Sequence, residues 1–256
     1  MDIRLVPIGR VDNQIVAAYL YEIVGIISLY LYNIESSWQK KVGFVFGMLV
    51  IGALILYTRS RMQIFTYFMC ISIGTIWYSR SLFKTFVSYA LVAAFVVLIC
   101  LHPTLNLMLS DYFSSLLSRG SSFRYEIWSN TLISIFESPF FGSGVKAKTY
   151  YGVGDYIVKS HPHNIILGTI FYFGIFVGMF FCFILYRILL CALRESNRHK
   201  PLNVLAMLLF FNGIVSSMTD NPRIVTTPPF WLMFWFPIAF VVANEIKHKV
   251  TVTKVD

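Results

Sequence analysis

Apolar runs of about 17 to 28 residues, separated by short polar punctuation, recur along this chain, and an α-helix of that length crosses a hydrocarbon layer of roughly 30 Å. Lipid offers the backbone no hydrogen-bond partners, so a spanning segment must satisfy its own amides, which a helix does. The runs fall at about 14–33, 42–58, 62–78, 86–102, 164–192, 203–219 and 229–246, which predicts seven spans. Only 13% of the 256 residues are charged and 57% are hydrophobic, whereas a soluble domain carries about a quarter charged residues. The expected fold is therefore an all-α integral membrane protein, a polytopic helical bundle.

The first 13 residues, MDIRLVPIGRVDN, contain Asp2, Arg4, Arg10 and Asp12 without an apolar core, so no cleaved signal peptide is expected and insertion rests on the first run. Cys70, Cys100, Cys182 and Cys191 all lie in apolar runs at unrelated spacings, which reads as small hydrophobes rather than disulfides or a metal site. The net charge of +9 is scattered over every loop and does not form the single basic face that nucleic acid requires.

Seven spans divide the loops into two sets. One set holds eleven basic residues, Lys40, Lys41, Arg80, Lys84, Arg187, Arg194, Arg198, Lys200, Lys247, Lys249 and Lys254, and the short loops of the other hold five, Arg4, Arg10, Arg59, Arg61 and Arg223. The positive-inside rule puts the richer set in the cytoplasm and residues 103–163 outside. The expected organisation is four spans in 1–102, a long extracytoplasmic loop in 103–163, and three spans with a cytoplasmic tail in 164–256.

A loop of that length invites a functional reading. Within it, Ser122 to Ser138 reads as a helix with Ser122 as N-cap and Pro139 as its stop. Glu126, Asn130 and Glu137 make a polar stripe, and Ile127, Trp128, Leu132 and Ile135 lie opposite, as in a helix resting in the membrane interface. Arg124 projects into the apolar side, either snorkelling to lipid phosphates or reaching a buried anion. Gly142 and Gly144 in F-F-G-S-G permit positive-φ backbone with exposed amides. His161 and His163 in H-P-H-N are either interfacial decoration or a base suited to neutral pH. Arg61 opens the third span on the same side, where two guanidinium groups and an imidazole would suit a phosphate-bearing headgroup. Glu22 is an acidic residue at depth in the first span, a position that is functional by default. Asp220 and Arg223 are either rim residues or a loop ion pair.

R-Y-E-I-W (Arg124 to Trp128), P-F-F-G-S-G (Pro139 to Gly144) and H-N (His163, Asn164), followed after nine intervening residues by Gly174, stand in the order found in bacterial surface-polysaccharide enzymes, and T-R-S-R at Thr58 to Arg61 matches a further element. The chain resembles the O-antigen ligase and O-antigen polymerase family. The resemblance implies a GT-C-like, metal-independent, inverting glycosyltransferase of the bacterial inner membrane that needs no cofactor. Its donor would be an undecaprenyl-diphosphate-linked glycan, its acceptor another glycan, and a chain-length regulator its protein partner. Arg61 and Arg124 would hold the diphosphate and His163 would orient or deprotonate the acceptor hydroxyl, with Asn164, Gly142, Gly144 and Glu22 as further contacts. Val177 stands where the ligase-type pattern has glycine, threonine or tyrosine, and Gly178 follows one later, so polymerisation of lipid-linked repeat units is the leading expectation. A ligase delivering finished glycan to lipid A core or protein is the nearest alternative, and a lipid-linked sugar flippase is the alternative from another class. Family members carry about eleven or twelve spans, and the opening segment resembles a mid-protein loop, so earlier spans are expected to precede it.

Overall fold

The computed structural model describes residues 14–79, 110, 111, 114, 123–153, 156–198, 200–220 and 231–252. Three helices come first: α1 (Gln14–Ile34), α2 (Trp38–Thr58) and α3 (Arg61–Ser79). After the loop helix α4 (Arg124–Glu137) a hairpin follows, β1 (Thr149–Val153) and β2 (Tyr156–Ser160). The chain then runs through α5 (Ile165–Phe173), α6 (Ile175–Ser196), α7 (Pro201–Asp220), a π-helical turn (Trp231–Trp235) and α8 (Phe236–Val252). Among the described residues four helices are long and apolar enough to cross a membrane, Ile15–Ile34, Trp38–Thr58, Ile175–Ser196 and Pro201–Met218. The expected third and seventh spans are helical as α3 and as the π turn with α8, whereas the expected fourth, 86–102, lies outside the described residues.

Helix α7 is the centre of the bundle. Val204 to Phe210 are all buried, as expected of a helix that is apolar all round, and α1, α3, α6 and α8 pack against it. The outer helices invert the soluble pattern, exposing Phe46 and Leu49 on α2 and Phe176, Phe180 and Phe183 on α6. Those side chains have lipid rather than water as their natural solvent.

Side-chain links define the two ends of the bundle. At one end the Tyr78 hydroxyl donates to the Pro201 carbonyl at 2.9 Å, and Arg194 of α6 pairs with Glu245 of α8. At the other end lie the first turn of α3, the first turn of α5 and the last turn of α7. Lys200, Arg194 and Lys247 thus gather at one end and Arg61 stands at the other.

The fifth expected span differs from its sequence reading. The run 164–192 is not one helix: Gly174, at φ 85°, ends α5 and starts α6. A break inside an apolar run strands amides and carbonyls, and the P-F-F-G-S-G loop takes them up. Ser143 N donates to Phe171 O at 2.7 Å, Gly144 N to Tyr172 O at 3.1 Å, and Ile175 N to Pro139 O at 2.8 Å. The two segments touch backbone to backbone. A Cβ on Gly142, at φ 70°, would lie 2.6 Å from Gly174 N, and one on Gly174 would collide with the Phe140 carbonyl.

The loop helix spans 124–137 with its stop before Pro139, as periodicity predicts, and buries Ile127, Thr131 and Ile135. Leu132, expected on that side, is 44% exposed, and Thr131 takes its place. The expected N-cap Ser122 lies outside the described residues; the residue before the helix is Phe123, in the left-handed region and without a capping side-chain bond. The hairpin was not anticipated. It pairs Thr149 with Ser160 through Val153 with Tyr156, and docks on α4 where Asn130 Nδ2 donates to Tyr150 O at 2.7 Å. T-Y-Y-G-V and Y-I-V-K-S around Gly154-Asp155 carry a hairpin signal of strand formers about a two-residue turn.

The contact between the two glycine segments makes a graded prediction for apparent melting temperature in detergent. Gly174→Ala and Gly142→Ala combine a backbone collision with a left-handed φ and should lower it by roughly 5–10 °C. Gly144, also left-handed but facing open space, should cost about 1 kcal/mol as alanine, or roughly 2–4 °C. Equal shifts for all three would show that the collision does not matter.

Candidate functional site

Asn164 is the N-cap of α5, and its Oδ1 accepts from Ile166 N at 2.9 Å and Leu167 N at 3.0 Å. Its Nδ2 donates to Met218 O at 3.0 Å, a carbonyl in the last turn of α7 that has no partner within its own helix. One amide side chain therefore fixes the start of α5 to the end of α7. Two residues earlier on α7, Ser216 Oγ lies 3.4 Å from Thr66 Oγ1 on α3. Thr66 is five residues after Arg61, so Arg61 stands at the same end of the bundle as Asn164 and the histidine before it.

Arg61 is the first residue of α3. Ser60 and Gln63 have the spacing of a capping box, and their side chains are bonded to each other. Arg124 is likewise the first residue of its helix, α4. A cation there opposes the helix dipole by about 0.3–1 kcal/mol, and an anion bound at the same place reverses the sign by meeting guanidinium and helix N-terminus together. Arg124 shares the covered face of α4 with Ile127, Thr131 and Ile135, as its sequence phase predicts.

The loop helix is tied to the histidine segment by Trp128, whose Nε1 donates to the Pro162 carbonyl at 2.9 Å. That bond sets the Arg124 turn beside His163, near enough for the guanidinium charge to act on the imidazole. The His161 and His163 rings lie against each other with centroids 3.8 Å apart, so His161, which the family pattern passes over, is part of the setting of His163. Burial above all, then His161 and Arg124, push His163 down to about 4, and its imidazole is neutral at ordinary pH.

Backbone strain collects at the same place. Among the described residues, the non-glycine residues with left-handed φ are Arg59 (54°), Phe123 (59°) and His163 (51°). Each is a candidate residue or lies within two positions of one, and such conformations cost about 1–2 kcal/mol each and cluster at functional sites.

A family model described as O-antigen ligase matches residues 46–182, more than half of the chain and a stretch that includes Arg61, Arg124 and His163. The chain belongs to the O-antigen ligase family. It is also 30% identical over 132 residues to a curated protein of Pseudomonas aeruginosa named O-antigen ligase, a match covering 51% of this chain and 32% of that protein. The chain thus corresponds to about a third of the relative's length. Within the family pattern, the departure at Val177 has a structural counterpart. Val177 is 45% exposed, whereas Gly178 is where a Cβ would collide with Ile170, so the glycine that α5 and α6 need for close approach is present one position later.

The other expected site residues are placed as follows. The Gly142 amide donates to the Ser138 carbonyl at the end of α4, and those of Ser143 and Gly144 donate to Phe171 and Tyr172, so the loop expected to expose amides uses them within the backbone. Glu22 is fully buried against Thr66, with Asn212 facing the same carboxyl. Asp220 ends α7, and Arg223 lies outside the described residues. Sequence reasoning missed Trp128 as a donor, and Thr66 and Ser216 as the link between α3 and α7. Hydroxyls inside apolar runs were the available signal.

The depressed imidazole is measurable by histidine-selective ¹⁵N NMR in nanodiscs, with His163→Gln for assignment. His163 should titrate at about 4, and Arg124→Met should raise that value without restoring about 6.5, because burial is the larger cause. Between about pH 6.5 and about 4 the unfolded chain takes up a proton that the folded site refuses. Stability should therefore decline as pH falls through that window. Titration at 6.5 in the wild type would contradict the buried setting.

Proposed function

We propose that this chain carries the donor-activating site of a membrane glycosyltransferase of surface-polysaccharide biosynthesis, acting on an undecaprenyl-diphosphate-linked glycan at the outer face of a bacterial inner membrane. The observation that carries the reading is the gathering of three helix starts, with Arg61 and Arg124 as first residues of two and His163 immediately before the cap of the third. A diphosphate is the ligand class that two guanidinium groups and helix N-termini favour jointly.

The acceptor hydroxyl oxygen attacks the anomeric carbon, the bond from that carbon to the diphosphate oxygen breaks, and undecaprenyl diphosphate leaves with the electron pair. Arg61 and Arg124 offset the charge that develops on the leaving group, the largest electrostatic demand of the step. His163 accepts the hydroxyl proton. The negative charge of a bound diphosphate opposes the His161 and Arg124 contributions and so raises the proton affinity of the imidazole, while burial, the larger cause of its depression, stays in place. Attack from the side opposite the leaving group inverts the anomeric carbon. With the charge carried by fixed cations, transfer should persist in EDTA.

The loop 103–163 would then lie outside, between the spans of 1–102 and those of 164–256. Tyr125 and Phe136 on α4 and Phe141 in the loop after it are strongly exposed, and aromatic rings favour the membrane interface. Between acceptors, the family description and the name of the Pseudomonas relative favour a ligase passing finished glycan to lipid A core, in place of the repeat-unit polymerase expected from sequence. A chain-length regulator would act upstream of such a ligase.

Arg61→Ala, Arg124→Ala and His163→Ala should each abolish long surface polysaccharide at equal protein level, a loss of at least about a hundredfold for a removed base or charge. Free long chains accumulating on the carrier support the ligase, and loss of every chain beyond one repeat supports the polymerase. Wild-type chains from both Arg124→Ala and His163→Ala would remove the catalytic assignment. A reporter fused near Lys148 should be active only if exported.

A further inference from the structure

Glu22 takes no part in the chemistry above, yet it is a carboxyl with no exposed surface, held among three helices of a membrane bundle. Such a group is expensive to bury and persists only where it does work. Its contacts reach both neighbouring helices. Ser216 Oγ on α7 lies 3.4 Å from Thr66 Oγ1 on α3, and Thr66 Oγ1 bonds to Glu22 Oε1 on α1. Asn212, one turn earlier on α7, faces the same carboxyl. Thr66 Oγ1 also has the Met62 carbonyl of its own helix at 2.9 Å, so what the Glu22 carboxyl adds is the link from α1 to α3 and α7.

These contacts lie directly beneath the candidate site. Thr66 follows Arg61 by five residues, about 7.5 Å along the helix, and Ser216 precedes by two residues the Met218 carbonyl that holds Asn164. The rotation and depth of α3 against α7 set where the Arg61 guanidinium stands relative to His163. Between α3 and α7 the described side-chain bonds near this end run through Thr66 and Ser216.

We propose that Glu22 is a positioning residue for Arg61: as terminal acceptor of the Ser216–Thr66 chain it locks α1, α3 and α7 in the register that aims Arg61 at the donor diphosphate, and it touches no sugar. This rests on the diphosphate reading of Arg61 given above. It assigns Glu22 to the leaving-group half of the reaction, at one remove from the ligand.

The test measures binding of undecaprenyl diphosphate, which carries no sugar, to the full chain in nanodiscs. Glu22→Gln keeps a carbonyl acceptor and should bind within about twofold of wild type, whereas Glu22→Leu, of similar volume and with no acceptor, should raise Kd about tenfold, equivalent to about 1.4 kcal/mol. In an Arg61→Ala background Glu22→Leu should add nothing, because the residue acts through Arg61. Thr66→Val interrupts the same chain without touching residue 22 and serves if Glu22→Leu fails to fold; it should show the same loss and the same dependence on Arg61.

Unchanged binding in Glu22→Leu and Thr66→Val would overturn the proposal. So would a loss in either that persists undiminished without Arg61, since that marks general damage to the fold. An Arg61→Ala protein that binds undecaprenyl diphosphate like wild type would overturn the diphosphate reading itself and the role of Glu22 with it. That result differs from one in which Arg61 matters and Glu22 does not.

Discussion

The site hangs on one amide. Asn164 uses its oxygen to cap α5 and its nitrogen to hold the final turn of α7, two tasks that need opposite hydrogen-bonding character from one side chain. An aspartate could cap but not donate to the Met218 carbonyl. Because α7 is the buried axis of the bundle, whatever is fixed to its end inherits the rigidity of the core, and His163 is fixed there by its place beside Asn164. Arg61 reaches the same frame through Thr66 and Ser216, and Arg124 through the Trp128–Pro162 bond and the packing of Ile135 on α5.

The membrane explains why the α5–α6 break is built so heavily. In water the stranded groups around Gly174 could have been hydrated. At the edge of hydrocarbon they must be met by protein, and the loop at 139–144 supplies donors and an acceptor at the right places. The recurring glycines of the two motifs therefore belong to one contact. P-x-x-G-x-G and Gly174, the glycine that follows H-N after nine intervening residues, are the two sides of a backbone junction that no side chain could enter. Their constraint is architectural, and it holds the first turn of α5, with His163 before it, at a set distance from α4.

Period and charge in the sequence carried much of the architecture. Apolar runs located most helices, Pro139 located the end of α4, and the phase of Ile127, Trp128, Leu132 and Ile135 put Arg124 on the covered face, although Thr131 stands there in place of Leu132. The break at Gly174 was invisible to that reasoning, because hydropathy runs unbroken through Phe173, Gly174 and Ile175, and only a distant loop determines that the helix stops. Asn164 was nominated as a ligand contact, but its anchoring bond spans 54 residues and no local pattern encodes it. Glu22 was legible as unusual and not as part of a chain, since its partners lie 44 residues away and beyond. The hairpin was legible and was passed over in favour of the helical signals around it.

The two arginines are held by different parts of the structure. Arg61 starts a helix packed on the central axis, with its first turns tied to α7 through Thr66 and Ser216. Arg124 starts a 14-residue loop helix held in three ways: Trp128 bonds to the Pro162 carbonyl, Ile135 packs against Phe171 and Tyr172 of α5, and the loop after Pro139 is joined to the α5–α6 break. The core of the bundle thus places one cation and the glycine junction helps place the other. In the proposed reaction that divides the work, with Arg61 fixing where the anion sits and Arg124 completing its charge balance beside the base.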